Sequence, residues 1–159
     1  MLTVYIALFV TVLDQLVKWI VQQHMVWGES IPLISGVFHL TYIINPGAAF
    51  GILAYQRWFF LAIVILLFGA FFFFRKRIPK EPRYFSVAIG MLLGGALGNA
   101  IDRVRISGVV DFFDFRIWPI FNVADIYVSV GTAVLVVLIL FYYKDEDLNR
   151  LLVRKGSAS

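Results

Sequence analysis

The chain has 159 residues, of which 61% are hydrophobic, 17% aromatic and only 15% charged, and its mean hydropathy is +0.86. Soluble domains are about half apolar and a quarter charged, so this balance excludes an ordinary soluble protein. The net charge of +4 does not point to nucleic acid, because the basic excess sits in short loops rather than on a patch of a soluble fold.

Four apolar segments follow one another: about Leu2–Val21, Trp58–Phe74, Tyr84–Ile101 and Ile120–Tyr143. Each approaches or exceeds the ~20 residues that cross a bilayer as a helix. The first carries Asp14 and Lys18 and lacks both a basic leader and a small-residue cleavage site, so it is expected to be a retained helix rather than a signal peptide. The predicted fold is an all-α membrane protein. A four-helix bundle forms a single integral domain over residues 1–159, with a small extracytoplasmic β-sheet in the first outer loop.

Nine of the fourteen lysines and arginines lie in the loop Arg75–Arg83 and in the tail after Tyr143. The positive-inside rule puts these in the cytoplasm. Both termini are then inside, and the loops at about 22–57 and 102–119 face out. In the first outer loop, Val37–Ile44 (VFHLTYII) is rich in β-branched and aromatic residues and reads as a strand. Asn45-Pro46-Gly47 is a turn signal, and Ala48–Leu53 is expected to return as a second strand. The tail from Lys144 onward reads as a short solvated helix with no site.

Gly90, Gly94 and Gly98 recur every four residues in the third segment, a stripe that lets helix backbones approach closely in lipid. One turn further, Asn99, Asp102 and Arg103 make the outer end polar. Asn122 and Asp125 do the same for the fourth segment. Asp14 and Lys18, four residues apart, form an acid–base pair that makes burial tolerable. Arg103 is suited either to a local salt bridge or to donating hydrogen bonds to a peptide carbonyl.

With no cysteine and only His24 and His39, the chain has no thiol nucleophile, disulfide or ligand-like histidine spacing, and no metal or cofactor is expected. What stands out are Asp102, Asp111, Asp114 and Asp125. An ionised carboxylate at mid-membrane costs ~2.5–3.5 kcal/mol on insertion scales, so such residues usually act. Two close carboxylates sharing a proton can hydrolyse an amide. The same acids can also bind a cation or relay protons, as in a small ion-coupled transporter, and a non-catalytic scaffold would suit the glycine stripe. Spacing alone leaves these open.

Five motifs in chain order resemble the bacterial lipoprotein signal peptidases, also called signal peptidase II. They are Asp14-Gln15-x-x-Lys18, Asn45-x-Gly47-Ala48-Ala49-Phe50-Gly51, Gly94-Gly95-Ala96-Leu97-Gly98-Asn99-x-x-Asp102-Arg103, Val109-Val110-Asp111-Phe112 and Phe121-Asn122-x-Ala124-Asp125. The resemblance implies an aspartic endopeptidase of the bacterial inner membrane. Such an enzyme cuts prolipoproteins before a diacylglyceryl-modified cysteine, with lipids as surroundings and globomycin-type peptides as inhibitors. It makes Asp111 and Asp125 the catalytic pair. Asn45, Gly47 and Arg103 fall on substrate-contacting motifs, and Asp14, Lys18, Asn99, Asp102 and Asn122 fall on positions that brace the site. The loop between Asp111 and Asp125 is shorter than is usual in that family.

Overall fold

The computed structural model describes residues 1–47, 53–76 and 83–142. Four helices are long and apolar enough to cross a membrane. They are α1 (Leu2–His24), α2 (Arg57–Phe74), α3 (Arg83–Ile106) and α4 (Val123–Val137), the last continuing as one π-helical turn, Leu138–Tyr142. Three strands complete the fold: β1 (Ser30–Ile34), β2 (Phe38–Asn45) and β3 (Val109–Asp114).

Helix α3 is the centre of the bundle, packed between α1 and α4, with α2 resting more lightly against it. Its glycines explain the close approach. A Cβ on Gly94 would strike the Ala7 carbonyl of α1, and one on Gly95 would strike the Ala124 carbonyl of α4. On the opposing side Gly131 of α4 faces the Ala88 carbonyl. Small residues thus replace the hydrophobic drive that lipid does not supply. Thr11 adds a hydrogen bond to the Gly94 carbonyl at 3.0 Å.

The sheet is antiparallel in the order β1-β2-β3. The strand expected at Val37–Ile44 is present as β2, but its neighbours differ from expectation. Its partner toward the bundle is β3, contributed by the segment between α3 and α4, and β1 forms the other edge. Pro32 is tolerated on β1 because an edge strand can lack a ladder donor. Of the return strand expected at Ala48–Leu53, residues 48–52 lie outside the described residues, and Leu53 stands in a turn with φ 56°. The expected tail helix likewise lies outside them.

Helix ends also move from their expected places. Helix α3 runs on through Asp102 and Arg103 to Ile106, where Ser107 at φ 60° stops it. Gly108 follows, where a Cβ would crowd Ile44 and the Asn45 carbonyl of β2, so its absence lets β3 pair beside Asn45. Helix α4 begins at Val123 rather than Ile120, because Asn122 caps it. Val21 and Met25 at the end of α1, Tyr42, Val110, Phe112 and Val123 form the buried core that fixes the sheet on the bundle.

Candidate active site

Each candidate aspartate is held by local geometry. Asp125 is the third residue of α4, in a capping box: the Asn122 side chain accepts from the Asp125 N–H at 2.9 Å, and Asp125 Oδ2 accepts from the Asn122 N–H at 3.1 Å. Such reciprocal capping satisfies two orphan donors at a helix start. Asp111 is central in β3, paired with Ile43 of β2 and nearly fully buried.

Three asparagines bind the two together. Asn122 Nδ2 donates to Asp111 Oδ1 at 2.6 Å, and Asn45 Nδ2 donates to Asp111 Oδ2 at 2.9 Å. Asn99 Nδ2 donates to Asp125 Oδ1 at 2.8 Å. Every oxygen of the two carboxylates therefore accepts a donor. The amide orientations follow from neighbours that can only donate. Lys18 Nζ lies 2.9 Å from Asn99 Oδ1, the Asp125 N–H takes Asn122 Oδ1, and the Gly47 N–H takes Asn45 Oδ1 at 3.0 Å. The amino ends are left facing the aspartates.

Behind this layer sits a buried ionic cluster. Lys18 Nζ is 2.9 Å from both Asp14 Oδ2 and Asp102 Oδ2. Asp14 Oδ1 accepts from the Ala124 N–H at 2.9 Å, and Asp102 Oδ2 from the Val110 N–H at 3.1 Å. Each carboxylate thus holds the backbone N–H immediately before one candidate aspartate, and Lys18 joins the two. Among the described residues Asp102 makes no ion pair with Arg103. Arg103 donates instead to the carbonyls of Asn99 (3.3 Å) and Gly47 (3.1 Å) and lies over the Phe60 ring at 4.3 Å.

Burial raises the Asp111 carboxyl, the nearby Asp125 charge raises it further, and it reaches about 7. The hydrogen bonds from Asn45 and Asn122 and the charge of Lys18 work against that rise. Asp111 is therefore built to keep a proton near neutrality beside a second carboxylate. Asp114 behaves oppositely: burial favours its neutral form, but hydrogen bonds from Thr41 and Arg116 win and hold it below the usual range.

Asp111, Asp125, Asn45, Gly47, Asn99 and Arg103 line one end of a cavity of about 420 Å³. Leu67, Leu92 and Val128, from α2, α3 and α4, carry the cavity down between those helices. Asn122, Asp14, Lys18 and Asp102 stand behind it, and Asp114 is outside it. Sequence reasoning did not single out Gln15 as a site residue, yet its Nε2 donates to Asp102 Oδ1 (3.0 Å) and the Gly98 carbonyl (3.1 Å). The signal was its polarity one helical turn from Lys18. Phe60, in a uniformly apolar helix, carried no such signal.

A family model for signal peptidase (SPase) II matches residues 6–141. The lipoprotein signal peptidase of Halothermothrix orenii is 47% identical over 143 residues, 89% of this chain and 94% of that one. That of Brevibacillus brevis is 47% identical over 148 residues, covering 91% and 97%. A bacterial membrane enzyme solved by the in meso method superposes with a TM-score of 0.77 at 32% identity, over 99% of this chain and 94% of the other. With the four spans, these likenesses make this a multi-pass bacterial membrane protein, and the chain belongs to the signal peptidase II family of membrane peptidases.

Proposed function

We propose that the protein is an aspartic endopeptidase that removes the signal peptide from prolipoproteins, cutting on the N-terminal side of a diacylglyceryl-modified cysteine. The observation that carries this reading is the proton-retaining Asp111 beside Asp125 at the mouth of an apolar cavity. Such a cavity suits a substrate that is itself membrane-bound, and the relatives named lipoprotein signal peptidases supply the substrate class.

In the mechanism, protonated Asp111 donates a hydrogen bond to the scissile carbonyl oxygen. Ionised Asp125 takes a proton from a water whose oxygen attacks the carbonyl carbon. The tetrahedral intermediate collapses as the C–N bond breaks, and Asp125 returns the proton to the departing amine. Arg103, Asn45 and Gly47 line the cleft and align the peptide backbone. The single membrane unit lies with both termini in the cytoplasm and the aspartates near the outer face, so water reaches the scissile bond while the acyl chains stay in lipid. A globomycin-type peptide would occupy the same cavity and inhibit. An ion-coupled transporter fits less well, because the cavity continues between leucines and valine rather than along a file of carboxylates.

The test is cleavage of a purified diacylglyceryl-modified prolipoprotein. Asp111→Asn and Asp125→Asn are expected to lose at least about a thousandfold in rate, the scale on which dyad residues act. Asp114→Asn retains most activity. A wild-type protein that does not cleave, or an Asp111→Asn variant that cleaves normally, overturns the reading.

A further inference from the structure

Asp114 takes no part in the cavity, yet it is buried and fully engaged, and what it organises is the loop between Asp111 and Asp125. That loop is closed at its base by backbone bonds between Phe113 and Phe121, the Phe113 N–H to the Phe121 carbonyl at 2.8 Å and the Phe121 N–H to the Phe113 carbonyl at 3.1 Å. Phe115 is wedged between Phe38 and Phe121, with ring centroids 4.7 and 5.9 Å away. Asp114 accepts from Thr41 Oγ1 at 2.7 Å, from the Arg116 N–H at 2.8 Å and from Arg116 Nη1 at 3.0 Å. Arg116 is thereby held at φ 67°, and the Ile117 N–H turns back to the Phe115 carbonyl at 2.8 Å.

The result of this bracing is a tip that presents apolar side chains outward. Ile117 is 94% exposed; Trp118, 61% exposed, also borders the mouth of the cavity. The proline at 119 disfavours a helical backbone at Trp118. A left-handed residue, a buried aspartate and an aromatic sandwich fix a conformation that would be unfavourable in water.

The occupant follows from where the tryptophans lie. All four are exposed, and all belong to the end of the bundle that holds the cavity. Trp19 is in the last turns of α1, Trp27 just follows that helix, Trp58 is the second residue of α2, and Trp118 precedes α4. The opposite end has none. Tryptophan is enriched where a bilayer meets water, since its ring is apolar and its N–H is not. We infer that the loop joining Asp111 to Asp125 carries a lipid anchor, Ile117-Trp118, which Asp114 holds in shape and which seats the cavity mouth at the membrane–water boundary. The assignment makes no assumption about the reaction catalysed.

The test uses the full chain with Trp19, Trp27 and Trp58 changed to Phe, leaving Trp118 as the sole emitter, in nanodiscs of phosphatidylcholine or of phosphatidylcholine brominated high on its acyl chains. Emission is expected to fall about twofold on the brominated lipid, as for an interfacial ring, with little quenching by aqueous iodide. Asp114→Asn in the same background should lessen the bromolipid quenching while helix content stays unchanged. Strong iodide quenching with no bromolipid effect overturns the anchor. Quenching that appears only when a diacylated peptide carrying brominated chains is added also overturns it, since the tip then meets substrate rather than bilayer. Bromolipid quenching unaltered by Asp114→Asn overturns the part assigned to Asp114.

Discussion

Asp111 couples the fold to pH. In an unfolded chain an aspartate loses its proton near pH 4, whereas Asp111 keeps its proton to about 7. Between those values the folded state binds more protons, so the group's contribution to stability falls as pH rises through the window and levels off above 7. Catalysis by a pair needs the same proton, and the cleavage rate is expected to decline as pH rises through about 7. Asn45 donates to the charged form of Asp111. Asn45→Ala should therefore raise the Asp111 pKa and carry the alkaline limb of the pH–rate profile upward. A limb that stays in place or moves down contradicts this. Lys18 offers a contrast in energy. Lys18→Met strands two buried carboxylates, Asp14 and Asp102, and should cost about 3–5 kcal/mol. Asp14→Asn leaves a neutral Lys18–Asp102 pair and should cost less. Thermal unfolding in detergent ranks them.

At the scale of elements, the helices were legible and the strands only partly. Long apolar runs announce helices by length and composition alone, so four spans were readable to within a few residues. Strand β3 was not. Val109–Asp114 is six residues, two of them aspartate, and its pairing is with His39–Asn45, far away in sequence. No local period reports such a partner. The start of α4 was legible in principle: Asn122 and Asp125 at three-residue spacing are a capping signature, but the same spacing reads equally as two side chains on one helix face. For the candidate site, the sequence puts forward residues that the fold brings together, but it does not report the hydrogen bonds among them. Nothing local in the sequence says that Asp14 reaches Ala124 or that Asp102 reaches Val110. The glycine stripe gives a prediction at this scale. Gly98→Ala would drive a methyl group into the Asp14 carboxylate, and the overpacking should cost about 1–3 kcal/mol. Gly69, where an added methyl group would meet nothing within 4 Å, should accept alanine without loss. Melting temperatures of the two variants provide the comparison.

For the whole molecule, orientation decides what the cavity can meet. The chain contains no cysteine, so single cysteines report topology cleanly. A cysteine replacing Ser35, at the exposed turn between β1 and β2, should react with an impermeant maleimide added to intact spheroplasts. One replacing Ile78, in the basic loop, should react only after permeabilisation. The reverse pattern would turn the protein over and place the aspartates on the cytoplasmic side.

The capping of α4 by Asn122 has a consequence for how the protein is made. The same amide that starts this helix also touches Asp111, and α4 leaves the ribosome after α1, α2 and α3. Until it docks, Asp111 lacks one of its two donors, Asp14 lacks the Ala124 N–H, and there is no second carboxylate. On the proposed mechanism a chain whose α4 has not yet docked is inert, and proteolytic competence switches on in one step, when α4 packs against α3. That mechanism keeps a newly made enzyme from cutting its neighbours while it is still being threaded into the bilayer.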